Sequence, residues 1–419
     1  MTTAFDRIGF HYYPDDRHYT QSDLQSWLPV LHGLRARWLV LCAGPERAVP
    51  EAFIRGLLEA GIKPIVHLQA PIARAGASNL APLLTAYGRW GVEYVVVFDR
   101  PNVRDAWPAE EWARPGLVER FADVLLPLLQ AQRAAGLRAV LPPLEPGGDY
   151  WDTAFLPALL DSLARRGQAE LLADLTLAIY AWTFDRPADW GAGGPGRWPE
   201  ARPYHTPEGC QDQRGLHACD WYAALVAERG VPSLPMIVIA GGALRRVSAP
   251  AVGPDPYIEQ NLAAARALLA GDLPDAVLNF AFYPLVTEAR HPHYASAWFE
   301  APDQPRPIVT SLQQLLHSLA KAADNGRPKP IQHYLLLPSG AGASWLQEWS
   351  HLAEFAAAHH PVIGFSNEEA RLARRVTIVG GEEVCPLALE QDLRAAGCEV
   401  DRIRVQPAPI PSEAGETHD

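Results

Sequence analysis

From Arg7 onward, short and almost wholly apolar runs alternate with longer stretches in which apolar residues recur at helical spacing. Runs of that kind have no polar face to give to water, so they read as strands covered on both sides. Eight strands are predicted, at 8–13, 38–42, 64–68, 94–98, 139–141, 177–181, 236–239 and 277–283. Helices are predicted between them, at 50–60, 116–135, 151–172, 218–229, 256–270 and 309–322. Gly61, Gly136, Gly230 and Gly271 follow four of these, where a left-handed cap suits glycine. Eight βα pairs in succession predict an α/β fold of the (β/α)8 TIM barrel type. A doubly wound sheet is the alternative, but no Gly-rich phosphate fingerprint follows the first strand.

The pattern changes at Asp324 to Pro330, a short polar stretch with Gly and Pro that predicts a domain boundary. The barrel is expected over 1–325. A small α/β domain with a parallel sheet is expected over 331–406: strand 334–337, helix 345–358, short helix 367–373, strand 376–379, helix 387–396 and strand 399–404. The last stretch, 407–419, lacks periodicity and is rich in Pro, Glu and Ser, which predicts a disordered tail.

Composition narrows the function. The chain has 419 residues, 48% of them hydrophobic, enough for a large core and a smaller second one. A net charge of −12 argues against a phosphate-binding surface, so nucleic acid is not an expected partner. Five dispersed cysteines without a CxxC pair indicate neither a disulfide framework nor a zinc site. No cofactor is implied. No leader pattern and no run of apolar residues long enough for membrane insertion is seen, so a cytoplasmic protein is expected.

In a TIM barrel, functional residues sit at the C-terminal ends of the strands and on the loops that follow. Those positions hold His11, Tyr12, Tyr13 and Asp15 on the first strand, and His67 and Gln69 on the third. The fourth and fifth contribute Asp99, Arg100, Asn102 and Trp107, then Glu145, Asp149, Tyr150 and Trp151. Tyr180, Trp182 and Asp185 follow on the sixth, and Tyr283 and Glu288 on the eighth. So many Trp and Tyr residues point to a glycan, because flat apolar rings stack on sugar C–H faces while their N–H and O–H groups meet hydroxyls. The long connection at 185–210, with Trp190 and Trp198, reads as an ordered loop covering the substrate. His11, His67, His291 and His293 raise zinc as a further idea, but the first strand ends HYY rather than HxH, and no metal is expected.

The segment VEYVVVFDRPNVRDAW (92–107) resembles strand 4 of the clan A glycoside hydrolases, which typically ends in W-N-E-P-N with a Trp nearby. The match sets Asp99 at the family's Asn, Arg100 at its acid/base Glu, Pro101 at its Pro and Asn102 at its second Asn. PPLEPGGDYW (142–151), Tyr180 and WFEAPDQPRPIVTSLQQLL (298–316) continue the resemblance, the last being similar to the clan's connection from strand 8 to helix 8. The clan's strand 7 ends in T-E-x-G with Glu as nucleophile, whereas LPMIVIAGGAL (234–244) puts Ala240 there.

Retaining hydrolysis needs two carboxyl groups about 5–5.5 Å apart, one to attack and one to protonate the leaving oxygen. Arg cannot release a proton near neutral pH and Ala has no nucleophile. The resemblance therefore implies a pseudo-glycosidase that binds an oligo- or polysaccharide through His11, Tyr13, Arg100, Asn102, Trp107, Trp151, Tyr180, Trp182, Trp190, Trp198 and Tyr283. Two alternatives stay open. One is an active glycosidase with relocated carboxylates, from Asp99, Glu145, Asp185 and Glu288; the other is a structural or interaction protein. Finally, residues 364–403 resemble one repeat of the type 2 cell-wall-binding domain, through the strand and Gly-Gly turn at 376–381, the helix ending at 393–397 and the Arg402-Ile403 strand.

Overall fold

The structure, a computed structural model, describes residues 4–74, 76–245, 255–325, 329–338, 349–382 and 385–403. The tail expected at 407–419, the centre of the 324–330 boundary and the start of the helix expected at 345–358 lie outside the described residues.

The eight predicted strands form one parallel barrel: β1 (Ile8–His11), β2 (Trp38–Ala43), β3 (Lys63–Leu68), β4 (Tyr94–Val97), β5 (Ala139–Leu141), β6 (Leu175–Trp182), β7 (Met236–Gly242) and β8 (Val277–Phe282). They are hydrogen-bonded in the order β4-β3-β2-β1-β8-β7-β6-β5. β4 and β5 lie side by side and close the ring without a ladder of their own. A side chain stitches that seam. The buried Gln132, on the helix Leu117–Ala134, donates Nε2–H to the Val95 carbonyl at 2.7 Å and accepts from Val140 N at 3.0 Å. Backbone bonds from Arg138 N to Glu93 O (3.0 Å) and from Arg100 N to Pro143 O (3.1 Å) hold its two ends.

Strand side chains alternate between faces, and the barrel interior takes Trp38 and Val40 from β2, Ile65 from β3, Tyr94 and Val96 from β4, and Ile237 and Ile239 from β7. Two residues further along β2 and β3, the same inward face carries Cys42 and His67. Register irregularities around β7 bring Ala240 level with Tyr180. The apolar layers thus end in a polar one, at the C-terminal mouth.

Some boundaries differ from expectation. β1 stops at His11, after which Tyr12 makes one more bond to Val40 O (2.9 Å) before Pro14 turns the chain away. The helix expected at 151–172 is two, Asp152–Arg165 and Ala169–Ala173, because Gly167 between them adopts φ 74°, a left-handed stop. A hairpin of β9 (Phe299–Ala301) and β10 (Gln304–Pro305) precedes the helix Pro307–Asn325.

The chain divides into two compact units, Met1–Gln313 and Gln314–Asp419. The second holds a parallel sheet of β11 (Ile331–Leu336), β12 (Val362–Gly364), β13 (Ala373–Val379) and β14 (Glu399–Ile403), in the order β12-β11-β13-β14. One face packs Tyr334, Leu336, Val376 and Ile378 against Ala370, Leu393 and Ala396; the other packs Leu335, Leu337 and Val379 against Leu352 and Phe355. It is a three-layer α/β unit. β12 escaped prediction because it is a three-residue edge strand whose Val362 and Ile363 are exposed. Among the described residues, no helix is long and apolar enough to cross a membrane.

Candidate functional site

A cavity of about 160 Å³ opens at the C-terminal mouth of the barrel. Its wall includes His11, His67, Gln69, Asp99, Arg100, Glu145, Tyr180, Trp182, Ala240, Tyr283 and His293. All eleven are positions that the sequence singles out, nine of them at strand ends, His293 among the histidines considered for zinc and Ala240 through the match at β7.

The geometry begins with the backbone after β4. Phe98 and Arg100 adopt φ 74° and 45°, in the left-handed region that non-glycine residues avoid at a cost of roughly 1–2 kcal/mol each. Phe98 is held there by its N–H bond to Leu68 O (3.1 Å) and Arg100 by its bond to Pro143 O (3.1 Å). The bend sets Asp99 and Arg100 on the cavity wall. Asp99 accepts from Tyr180 Oη at 2.6 Å and from Arg100 Nε at 3.0 Å. The other arm of the guanidinium lies 3.6 Å from Glu145. One cation therefore bridges two carboxyl groups.

These neighbours set the charges. Burial works against the Arg100 charge, but Asp99, Tyr180 and Glu145 together hold the guanidinium above its ordinary value. Burial raises the Glu145 carboxyl, with Arg100 pulling the other way. Burial, reinforced by Asp99, drives the Tyr180 hydroxyl far up, so it stays a neutral donor. On the opposite side of the mouth burial dominates: it lowers His11 to about 4 and also lowers His67. Both rings are neutral near pH 7.

Three aromatic rings complete the wall. Tyr180 and Trp182 stack with centroids 5.6 Å apart and planes at 18°, and Tyr283 meets Trp182 edge-on at 5.5 Å. Tyr180, two residues past the interior Ala178, and Trp182 follow from the same inward alternation.

The other predicted residues are elsewhere, for identifiable reasons. Asn102 is buried and fully engaged, donating to Glu145 O and Tyr150 O (2.9 Å each) and accepting from Glu145 N (2.8 Å), so it positions Glu145 from behind. Tyr13 stacks on His18 with centroids 3.7 Å apart. Trp107 donates to Pro101 O at 2.8 Å and packs on Phe121. Trp151 stands at the N-terminal boundary of the helix Asp152–Arg165 without a side-chain capping bond, and its ring packs against Tyr204 and Arg214. Glu288 pairs with Arg17 at 3.2 Å, and Asp185 sits on the exposed loop after β6.

The long loop is ordered around an anchor that sequence reasoning missed. Buried Asp212 accepts from Arg186 (2.6 Å), Trp190 (3.2 Å), Thr206 (2.9 Å) and Arg214 (2.9 Å). Burial alone would raise its carboxyl, but these donors, Arg214 foremost, hold it far below the ordinary range. Trp190 is spent on Asp212, and Trp198 donates to Ala192 O at 3.2 Å. Of the predicted tryptophans, Trp182 lines this cavity, while the N–H groups of Trp107, Trp190 and Trp198 are engaged within their own loops. Buried Cys42 was also missed; its thiol lies 3.6 Å from His11 Nε2. Inward alternation along β2 was the available signal.

No protein-family model and no curated protein matches the chain. Among solved structures it is similar to a family 39 glycoside hydrolase from the gut symbiont Bacteroides cellulosilyticus WH2, at 12% identity and a TM-score of 0.52 over 76% of this chain and 65% of that one. The chain thus spans just under two thirds of that protein's length. It is also similar to a monomeric β-xylosidase from Caulobacter crescentus CB15, at 14% identity and TM-score 0.45, over 75% of this chain and 68% of that one. A third, an endo-β-1,3-glucanase from Sorangium cellulosum, gives 11% identity and TM-score 0.43, over 73% of this chain and 97% of that one. The first likeness shows the fold: this chain carries the eight-stranded barrel on which a glycoside hydrolase is built.

Proposed function

We propose that the barrel binds one neutral sugar unit of a glycan at its C-terminal mouth and does not cleave it by the retaining mechanism. The observation that carries this reading is that Arg100 and Ala240 line the same cavity as the Tyr180, Trp182 and Tyr283 rings. In the resemblance at β4 and β7, these are the two positions where a clan A enzyme holds its acid/base and its nucleophile. A guanidinium cannot hand a proton to a leaving oxygen, and a methyl group cannot attack an anomeric carbon.

The size and charge of the cavity support a small neutral ligand. At about 160 Å³ it falls below the volumes of sites for drug-sized ligands, about 300–1,000 Å³. Its Arg100 cation is already shared between Asp99 and Glu145, so an anionic sugar would meet two carboxyl groups for one positive charge. Ring faces for C–H stacking and fixed donors and acceptors for hydroxyls are both present. The second unit's resemblance to a cell-wall-binding repeat suits a glycan partner, and we propose that it contributes a separate contact to a wall polymer.

Calorimetric titration of the whole chain with neutral and anionic mono- and oligosaccharides tests the reading. It expects saturable binding of neutral sugars that Trp182→Ala weakens. Binding that Trp182→Ala and Tyr283→Ala both leave unchanged would move the ligand out of this cavity.

A further inference from the structure

We propose that His11, Cys42 and His67 form a binding site for one soft or borderline transition-metal ion, Zn(II) in the first instance, in the barrel mouth. They stand on three successive strands, β1, β2 and β3. Cys42 and His67 are direct register partners, and His11 pairs with Val40, two residues before Cys42. All three are buried, and one ligand atom from each lies within 4.8 Å of the other two.

The hydrogen bonds around the rings prepare them as ligands. His11 Nδ1 lies 3.1 Å from the Tyr12 carbonyl oxygen, and His67 Nε2 lies 3.0 Å from that of Phe98. A carbonyl oxygen only accepts, so those nitrogens carry the hydrogens. The bare nitrogens are then His11 Nε2 and His67 Nδ1. A carbonyl that fixes the tautomer of a metal-binding histidine from behind is the usual outer-shell device. His11 Nε2 points at the Cys42 sulfur, 3.6 Å away. An ion bound tetrahedrally at about 2.3 Å from sulfur and 2.0–2.1 Å from nitrogen sets those two atoms about 3.6 Å apart. Gln69 Nε2 lies 3.7 Å from the same sulfur, a donor suited to a thiolate.

The donor set selects the ion. One thiolate and two imidazoles suit Zn(II), Cu(I) or Co(II) and do not suit Mg(II) or Ca(II), which take oxygen ligands. Binding replaces the thiol proton by the metal and releases one proton to solvent. His11 and His67 both line the cavity, so a fourth ligand would enter from that side. A site with three protein ligands and one open position is the arrangement of a reactive rather than a purely structural ion. None of the three ligands is one of the three aromatic rings, so metal binding can be tested without any sugar.

The test is titration of the chelator-stripped full chain with Co(II) alone. One equivalent should produce tetrahedral d–d bands and a thiolate-to-cobalt charge-transfer band, and Zn(II) should displace both. Cys42→Ser should lose the charge-transfer band with its near-UV circular dichroism unchanged. His67→Gln should weaken binding by at least about tenfold, the low end of what removing an outer-shell partner alone costs. X-ray absorption of the Zn(II)-loaded wild type needs no variant: it should give one sulfur near about 2.3 Å and nitrogens near about 2.0 Å. A folded wild type without a one-equivalent cobalt spectrum, a band that survives in Cys42→Ser, or a zinc shell without sulfur would each overturn the proposal.

Discussion

The two sides of the barrel mouth handle buried polarity in opposite ways. On the side of β4, β5 and β6, Asp99, Arg100, Glu145 and Tyr180 satisfy one another: a cation bridges two carboxyl groups and a phenol donates to one of them. On the side of β1, β2 and β3, the polar groups are neutral, and each histidine gives its hydrogen to a backbone carbonyl and keeps a bare nitrogen. The first side is saturated and holds its groups still. The second is preorganised to receive something.

The largest expected effect tests the seam beneath the charged side. Gln132→Leu keeps the bulk but orphans Val95 O and Val140 N, and each buried unpaired group costs about 1–3 kcal/mol. Thermal unfolding should show a loss of about 2–6 kcal/mol. A loss below about 1 kcal/mol would mean that β4 and β5 pair without help from Gln132.

The neutral side predicts an acid-sensitive barrel in the chelator-treated protein. The folded-state value of His11 is depressed, from 6.5 to about 4, so below about pH 6.5 the unfolded chain takes up a proton that the folded chain refuses. Stability from this group is fully present above about pH 6.5 and is lost as the pH falls to about 4, on the order of 3 kcal/mol in all. His67 acts in the same direction, while Asp99, also facing His11, opposes. Denaturant midpoints measured across that window should fall, and His11→Gln should flatten the slope. An unchanged slope would place the acid sensitivity elsewhere.

Trp182 and Trp190 separate the site from its surroundings. Trp182→Ala should weaken sugar binding by at least about tenfold, about 1.4 kcal/mol. Trp190→Phe should leave sugar affinity unchanged and cost about 1 kcal/mol of stability, because it removes one bond to buried Asp212. Equal effects on affinity would return the long loop to the site.

The smallest effect is expected at the ion cluster. Arg100→Gln should change stability by less than about 1 kcal/mol, because nearly half of the Arg100 side chain is exposed and such pairs contribute little. It should, however, raise the Glu145 carboxyl further, since Arg100 opposes the rise and Asp99 adds to it. Carbon-detected NMR titration of the Glu145 carboxyl would show the shift, and no shift would mean that Arg100 does not act on it.

What was legible in the sequence was what periodicity governs. All eight barrel strands came from uniform apolar runs, and inward alternation places Tyr180 and Trp182 on the wall. The surroundings of Trp107, Trp190 and Trp198 were less legible for a physical reason: they sit in loops whose structure depends on distant bonds. Asp212 organises four donors, from Arg186 through Arg214, and no local pattern announces it. Cys42 gives no signal in spacing along the chain, because its partners lie across β1 and β3. The seam at Gln132 was equally invisible, since a lone glutamine in an amphipathic helix looks like a solvated one.

The central claim, that this mouth binds sugar without retaining catalysis, is tested most directly by turnover. The unmodified protein should release no measurable product from a panel of aryl glycosides under conditions where calorimetry shows sugar bound. Loss of an acid/base group alone removes typically about 10²- to 10⁴-fold, and the nucleophile adds to that. Robust turnover that Glu145→Gln abolishes would contradict the account and make Glu145, with Asp99 beside it, a working catalytic pair.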